Sequence, residues 1–233
     1  MTHETNILTK VNSTWTMRHI EEAWPQTPIS LLFPPCDTKK LVKIEGDRKP
    51  WILSLSQFRP EKNHEFQIKC FAKLLEMNVQ NKSEIRLIIA GGCRNEEDNE
   101  RVEYLKGLCH KLNISEFVQF EVELSHDRIV SLFSSCKIGL HTMIDEHFGI
   151  SIVEFMSSGL LTIANNSGGP KCDIIDDGIN GWLASSEQEY AERLKEALEL
   201  STEKTKLIQS KARAKCEMFS NEAFIRGFLE VTI

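Results

Sequence analysis

The sequence predicts an α/β fold, a doubly wound parallel sheet of the Rossmann-like type. Strand-like and helix-like segments alternate after Pro50, and this order produces parallel sheets with helices on both faces. One strand-like segment, residues 85–90, is nearly all apolar, as expected for a strand that helices cover on both sides. Crossovers between such strands are right-handed, and ligands bind at the carboxyl ends of the strands.

Short apolar runs of the usual strand length predict the strands of this sheet, at residues 51–55, 85–90, 117–120, 137–141 and 160–164. Between them, apolar residues recur at helical spacing. In the first helix Phe66, Cys70, Phe71, Leu74 and Leu75 share one face. The charged last third of the chain predicts surface helices that close the domain. The other predicted helices are residues 100–112, 127–133, 190–200, 203–218 and 221–229.

The first 36 residues differ in composition from the rest of the chain. They are rich in Thr and Asn at first and then contain Pro25, Pro28, Pro34 and Pro35. Closely spaced prolines interrupt regular structure, so residues 1–36 are expected to be the end of a preceding domain and a linker. Residues 37–233 then form one α/β domain with additional helices at its C-terminal end.

Composition and charge exclude several classes of protein. Hydrophobic residues at 41% and charged residues at 27% are typical of a soluble globular chain. A net charge of −6 argues against nucleic acid as a partner, and no apolar run approaches the roughly 18 residues of a membrane span. The seven cysteines form no C-x-x-C pair, and His and Cys are not at metal-ligand spacing. We therefore expect a cytoplasmic chain with free thiols, no metal and no cofactor.

Two glutamates, Glu146 and Glu154, frame a short run between two predicted strands. A short helix is expected to begin near Gly149 and to end before Gly159. Because the amino end of a helix offers N–H groups to a phosphate and a carboxylate can bind vicinal ribose hydroxyls, the run lies at a nucleotide-binding position. An alternative remains, since Ser151 and Glu154 also form the S-x-x-E pattern of a capping box.

The segment between the first strand and the first helix carries Arg59 and Lys62. At the carboxyl end of a parallel strand, such cations can meet a diphosphate. The alternative is a solvated turn in which Pro60 starts a helix and the charges face water. Gly-rich turns at residues 91–92 and 168–169 follow later strands, where the backbone can approach a ligand or simply turn tightly.

Taken together, these features resemble a known family. With the two cations, the E-x(7)-E frame and the trailing Gly-rich turns in one order, the chain resembles the nucleotide-sugar-binding half of retaining GT-B glycosyltransferases. Within that group it looks like the α-1,2-mannosyltransferases of the dolichol pathway, from about Asn12 to the C terminus. The segments that carry this likeness are residues 12–16, 33–37, 57–64 and 146–150. The resemblance implies GDP-mannose as donor and a dolichol-linked oligosaccharide as acceptor, at the cytosolic face of the endoplasmic reticulum.

The resemblance also implies roles for individual residues. Glu154 would bind the ribose hydroxyls, and Glu146 would contact the donor sugar. Two cationic side chains and three backbone N–H groups would hold the diphosphate, those of Arg59 and Lys62 and those of Phe148, Gly149 and Ile150. The two cations and Glu146 are thus the candidate catalytic residues. Enzymes of this group generally need no metal, so none is expected here.

A GT-B enzyme has two Rossmann-like domains with the active site between them, and we expect this chain to carry the second domain and the end of the first. The function expected is the donor half of a mannosyltransferase, inactive alone because the acceptor is held through the missing domain. The alternative is a non-catalytic nucleotide-binding or interaction module, such as a truncated isoform. Sugar-nucleotide epimerases share the architecture, but the E-x(7)-E frame favours a transferase.

Overall fold

The computed structural model describes residues 9–230, so residues 1–8 of the predicted linker and residues 231–233 lie outside the described part. Its centre is a six-stranded sheet in which all neighbouring strands are parallel. Numbered along the chain and given in spatial order, the strands are β5 (Val118–Val122), β4 (Arg86–Gly91), β3 (Lys49–Leu55), β6 (Cys136–Leu140), β7 (Leu161–Asn165) and β8 (Trp182–Ala184). The order reverses between β3 and β6, which is where ligands bind in doubly wound sheets.

Helices cover both faces of the sheet. Those on the first face are α3 (His64–Glu76), α4 (Glu96–Lys111) and α7 (Glu187–Glu199), and those on the second are α5 (His126–Ser135), α6 (Ile150–Ser158) and α8 (Thr202–Cys216). Consecutive residues of one strand enter different cores: Ile52 packs with the first layer and Leu53 with the second. This alternation is the pleat of a strand buried on both sides. The predicted fold class is confirmed.

Most predicted elements are present, with shifted ends. Helix α4 begins at Glu96 rather than near residue 100, because the Asn95 side chain accepts a hydrogen bond from the Asp98 N–H and caps the helix. Three acidic residues in that first turn also suit the positive end of the helix dipole. The strand β8 was not predicted, since its three residues directly follow a turn-rich segment.

Regular structure also occurs near the N-terminal end, where the sequence indicated a linker. Strands β1 (Thr9–Val11) and β2 (Ile29–Leu31) form a separate parallel pair, and α1 (Thr14–Ala23) lies between them. The Thr14 N–H and hydroxyl donate hydrogen bonds of 2.9 and 2.5 Å to Asp173, so this segment is attached to the main domain. The domain boundary at residue 36 stays a prediction. Helices α2 (Thr38–Leu41) and α9 (Asn221–Leu229) complete the described elements.

Candidate functional site

The loops that follow β3 and β6 meet where the strand order reverses. The loop after β3 contains a short 3₁₀ turn, Pro60–Lys62, directly before α3. The loop after β6 runs from His141 to Gly149, the N-cap of α6. Since both strands end at the same edge of the sheet, side chains from these two loops can reach a common ligand.

An ion pair connects the two loops. The Lys62 Nζ atom lies 2.7 Å from Oε2 of Glu146, and both side chains are largely shielded from solvent, at 21% and 15% exposure. The Nε2 atom of His141 lies 3.3 Å from the same carboxylate oxygen. The structure therefore brings together two of the predicted catalytic residues, Lys62 and Glu146, and adds a histidine that the sequence analysis did not select.

Glu146 is held in its charged form. Burial by itself raises the pKa of this carboxyl group, but the hydrogen bonds from His141 and Lys62 and the positive charge of Lys62 outweigh it. The result is a pKa lowered to about 2. At neutral pH the site therefore contains a shielded carboxylate that a bound cationic or hydroxyl group could contact.

Hydrogen bonds to its backbone fix the position of Lys62. The Lys62 carbonyl accepts from the Thr142 hydroxyl at 3.1 Å and from the Gln67 amide at 3.4 Å. Gln67 also donates to Thr142 at 2.8 Å. The next residue, Asn63, adopts a left-handed conformation with φ of 57°, which ends the 3₁₀ turn and starts α3. The backbone of the lysine is thus held by the loop after β6 as well as by its own loop.

Arg59 lies in the same turn as Lys62, with the Lys62 N–H bonded to the Arg59 carbonyl at 3.1 Å. Its guanidinium forms an ion pair with Glu61, and the Arg59 side chain is 39% exposed. The side chain is therefore close in the chain to Lys62 but is not part of the ion pair with Glu146. Its predicted contact with a diphosphate stays a prediction.

The amino end of α6 has the form expected of an anion site. Gly149 is its N-cap, with φ of 103°, and no side chain caps the helix there. The Ile150 and Ser151 N–H groups have no partner within the helix, since the Ile152 and Val153 N–H groups are the first to bond back, to the Gly149 carbonyl. Phe148 is buried between Phe33 and Phe219, so only its backbone could contact a ligand.

Glu154 does not form the capping box that its spacing with Ser151 allowed. A capping box would need Ser151 as the N-cap, but the N-cap of α6 is Gly149, two residues earlier. The Glu154 side chain therefore does not cap the helix. It lines a cavity of about 530 Å³ together with Ile150 and Cys36. Burial raises the pKa of this carboxyl group, and no hydrogen bond or ion pair to its side chain occurs within residues 9–230. It is available to a ligand.

The second Gly-rich turn supports the loop that carries Glu146. A Cβ atom on Gly168 would lie 2.3 Å from the Glu146 carbonyl oxygen, and one on Gly169 would lie 2.4 Å from that of His147. The Gly169 N–H donates to the Glu146 carbonyl at 2.8 Å. These glycines therefore permit close backbone contact with the site, which is a structural reason for a motif whose purpose the sequence left open.

Sequence reasoning missed two buried histidines near the site, His64 and His141. Burial and the nearby cations Arg101 and Lys62 lower the pKa of His64 to about 4, and its Nε2 atom lies 3.1 Å from the Ser56 hydroxyl. Neither histidine belongs to a spacing motif. For His141 the available signal was its place at the carboxyl end of a predicted strand, at the edge where ligands bind.

Within the described residues, no group of three or more His, Cys, Asp or Glu side chains is arranged to hold a metal ion. From Thr9 to Glu230, no helix combines the length and apolar character needed to cross a membrane.

Comparison with known proteins gives a consistent result. The sequence model of the family described as Glycosyl transferases group 1 matches residues 37–215. The chain is 41% identical over 229 residues to the human GDP-Man:Man(3)GlcNAc(2)-PP-Dol alpha-1,2-mannosyltransferase. The alignment covers 94% of this chain and 46% of that protein. The protein of the same name from Dictyostelium discoideum is 42% identical over 234 residues, covering 96% and 46%. The chain thus spans slightly less than half the length of these relatives.

Solved structures share the fold. The chain matches Anabaena Alr3699/HepE, solved with UDP and glucose, with a TM-score of 0.81 and 22% identity over 97% of this chain and 62% of the other. A glycosyltransferase from Rickettsia africae matches with a TM-score of 0.82 and 21% identity, over 97% and 62%. At such identities the likeness concerns the fold alone, and it agrees with the Rossmann-like architecture of GT-B glycosyltransferases.

Proposed function

Because this chain belongs to the Glycosyl transferases group 1 family, we propose that it binds GDP-mannose as the donor-binding part of a retaining α-1,2-mannosyltransferase. The acceptor would be a dolichol-linked oligosaccharide at the cytosolic face of the endoplasmic reticulum. The names of the relatives support this donor, acceptor and linkage. This chain spans 46% of each of those two relatives. The activity of the full-length relatives is therefore only proposed for this chain.

One observation carries the proposal: Lys62 and Glu146 meet at 2.7 Å where the strand order reverses, beside the uncapped amino end of α6. A cation and free backbone N–H groups on one side suit a diphosphate. A shielded carboxylate next to them suits the hydroxyl groups of a sugar. These are the groups that a nucleotide-sugar donor presents together.

Each residue takes a role that its surroundings support. Lys62 and the N–H groups at 148–150 hold the diphosphate, and Arg59 turns from Glu61 to a phosphate oxygen. Glu154, which has a free carboxylate beside the cavity, accepts hydrogen bonds from the ribose hydroxyls. Glu146 contacts the mannose.

Electrostatics would then assist the transfer. When the bond from the anomeric carbon to the β-phosphate oxygen breaks, negative charge develops on the departing diphosphate. The Lys62 ammonium and the amino end of α6 are placed to stabilise that charge, and they need little rearrangement because the backbone of Lys62 is already fixed. The proposal includes no metal, since cations of the protein itself supply the positive charge.

Isothermal titration of the chain with GDP, UDP, ADP and GDP-mannose tests the proposal. We expect heat of binding with GDP and GDP-mannose, and weaker or no binding with UDP and ADP. The affinity is expected to be modest, because the cavity is open to solvent on one side. Binding of UDP without binding of GDP would contradict the assignment of the donor.

A further inference from the structure

His141 is a buried imidazole in direct contact with Glu146. The residue is 4% exposed, and Nε2 lies 3.3 Å from the Glu146 carboxylate. The other ring nitrogen, Nδ1, is buried and has no hydrogen-bond partner among the described residues. A hydrogen on Nε2 therefore has an acceptor and a hydrogen on Nδ1 has none, so the tautomer protonated at Nε2 fits this place.

The backbone of His141 is fixed on both sides. Its N–H donates to the Ile163 carbonyl at 2.9 Å, and its carbonyl accepts from the buried Tyr190 hydroxyl at 3.0 Å. The following residue, Thr142, bonds to the Lys62 carbonyl. The imidazole is thus attached to the sheet itself, whereas Lys62 reaches Glu146 through a long side chain with many rotamers.

Lys62 and His141 share a single oxygen of Glu146. Oε2 has the ammonium at 2.7 Å and the imidazole at 3.3 Å, and the second distance is at the long end for an N–H···O bond. If Lys62 turns to a diphosphate, as the proposed function requires, Glu146 loses its nearer partner. His141 is then the donor that remains within reach.

We infer that His141 is a positioning residue, which keeps the Glu146 carboxylate directed at the donor sugar when Lys62 binds the diphosphate. The inference rests on the proposed function and adds a residue to it. His141 itself touches no substrate in this account. Its effect passes through Glu146, so it should change recognition of the sugar and leave recognition of the nucleotide intact.

The test compares GDP-mannose with GDP in the same variants. His141→Phe keeps a planar ring but removes the donor, and His141→Gln keeps an amide N–H near the place of Nε2. The matched control is His64→Phe, which removes another buried imidazole nearby that bonds to Ser56 instead of Glu146. Titration calorimetry gives the ratio of the two affinities, and a melting curve reports stability.

We expect the wild type to prefer GDP-mannose over GDP and His141→Phe to lose about tenfold of that preference, the effect of one hydrogen bond to a charged group. Affinity for GDP should stay within about twofold. His141→Gln and His64→Phe should keep the wild-type ratio. Equal losses for both ligands in His141→Phe, or an unchanged ratio, would overturn the inference, because a merely structural role affects both ligands alike.

If His141→Phe does not fold, the comparison is made between His141→Gln and His141→Asn, whose shorter side chain cannot reach Glu146. The inference then requires that His141→Asn loses the preference for GDP-mannose and that His141→Gln keeps it. Equal ratios of the two affinities in these variants would refute the inference. A wild-type chain that binds neither ligand would overturn the proposed function and the inference with it. A wild-type chain that binds GDP and GDP-mannose equally tightly would overturn the inference alone.

Discussion

At the scale of single residues, the central feature is an ion pair that is placed where it contributes little to stability. Removing two charges from water costs free energy that their attraction only partly returns, so apolar residues could replace such a pair without loss. Lys62 and Glu146 are both largely shielded, and they lie at the edge of the sheet where ligands bind. Binding a charged ligand is a better explanation of the pair than stabilising the fold.

The first prediction concerns the two cations. Lys62→Ala and Arg59→Ala should each weaken GDP binding by roughly 1.5 to 3 kcal/mol, about 10- to 150-fold, because each loses a charge-assisted hydrogen bond to the diphosphate. Lys62→Ala should also lower the melting temperature, since Glu146 loses its charge partner, whereas Arg59→Ala should not.

Lys69→Ala is the control for these variants, since its ion pair with Glu65 has the same 2.7 Å length but lies on the exposed surface of α3. It should bind GDP like the wild type. If the Arg59 and Lys62 double variant binds GDP as tightly as the wild type, both are ordinary turn residues.

The second prediction concerns Glu154. Glu154→Gln should bind GDP more weakly, because a ribose hydroxyl bonds more strongly to a carboxylate than to an amide. Stability at neutral pH should not fall. Because the pKa of Glu154 is raised in the folded protein, the folded state disfavours the charged carboxyl. The free energy of unfolding therefore falls as the pH rises above 4.5, the ordinary pKa of this group.

Titration with 2′-deoxy-GDP isolates the ribose contact of Glu154. The wild type should lose affinity when the 2′-hydroxyl is absent, and Glu154→Gln should lose less, since part of that contact is already gone. Equal losses in the two proteins would show that the carboxylate does not recognise the ribose.

At the scale of elements, the positions of loops at the ends of β3, β6 and β7 create the site. The turn after β7 holds the loop after β6 through the Gly169 N–H, and a Ser167 hydroxyl accepts from the Asp145 N–H at 2.8 Å. The loop after β6 in turn meets the loop after β3 through Glu146 and Lys62. Three separate connections therefore act as one unit.

The third prediction follows from this support. Gly168→Ala should lower the stability of the protein by at least about 1 kcal/mol, since φ is 61° there and the new Cβ meets the Glu146 backbone. It should also weaken donor binding, because Glu146 must move. Gly107→Ala is the control: it lies in the middle of α4, where a Cβ meets nothing within 4 Å, and should stabilise by about 0.5 to 1 kcal/mol. Normal donor binding by Gly168→Ala would show that the turn does not position the site.

Elements with strong local patterns could be predicted from the sequence. Apolar strands and the helix after Gly149 were of this kind, and so was the place of the site at the ends of the strands. Helix α1 was not, because it has no buried residue and its contact with Asp173 lies 159 positions away in the chain. The contact of His141 with Glu146 was also out of reach, since it depends on how a loop bends back on its own strand.

At the scale of the whole molecule, binding of a donor and transfer of a sugar are separate properties. Transfer requires the acceptor hydroxyl to be held beside the anomeric carbon, and such positioning can contribute roughly 7 to 11 kcal/mol to lowering the barrier. In the proposed function the described site binds the donor, while the relatives are about twice as long as this chain. We propose that holding the acceptor needs the additional length.

The fourth prediction is that this chain by itself binds GDP-mannose but does not transfer mannose to a dolichol-linked acceptor. The assay uses purified chain, GDP-mannose and a dolichol-linked trimannosyl acceptor, with the full-length human relative as the positive control. Turnover by the chain within about tenfold of that control, which corresponds to only 1.4 kcal/mol of barrier, would contradict the prediction.

The most direct test of the central claim is a crystal structure of this chain with GDP-mannose. The account predicts the diphosphate at the amino end of α6 with a phosphate oxygen bonded to Lys62 Nζ, and the ribose hydroxyls on Glu154. Glu146 should contact the mannose with His141 still beside it. A nucleotide bound elsewhere on the molecule, with Lys62 and Glu146 paired as they are now, would contradict the account.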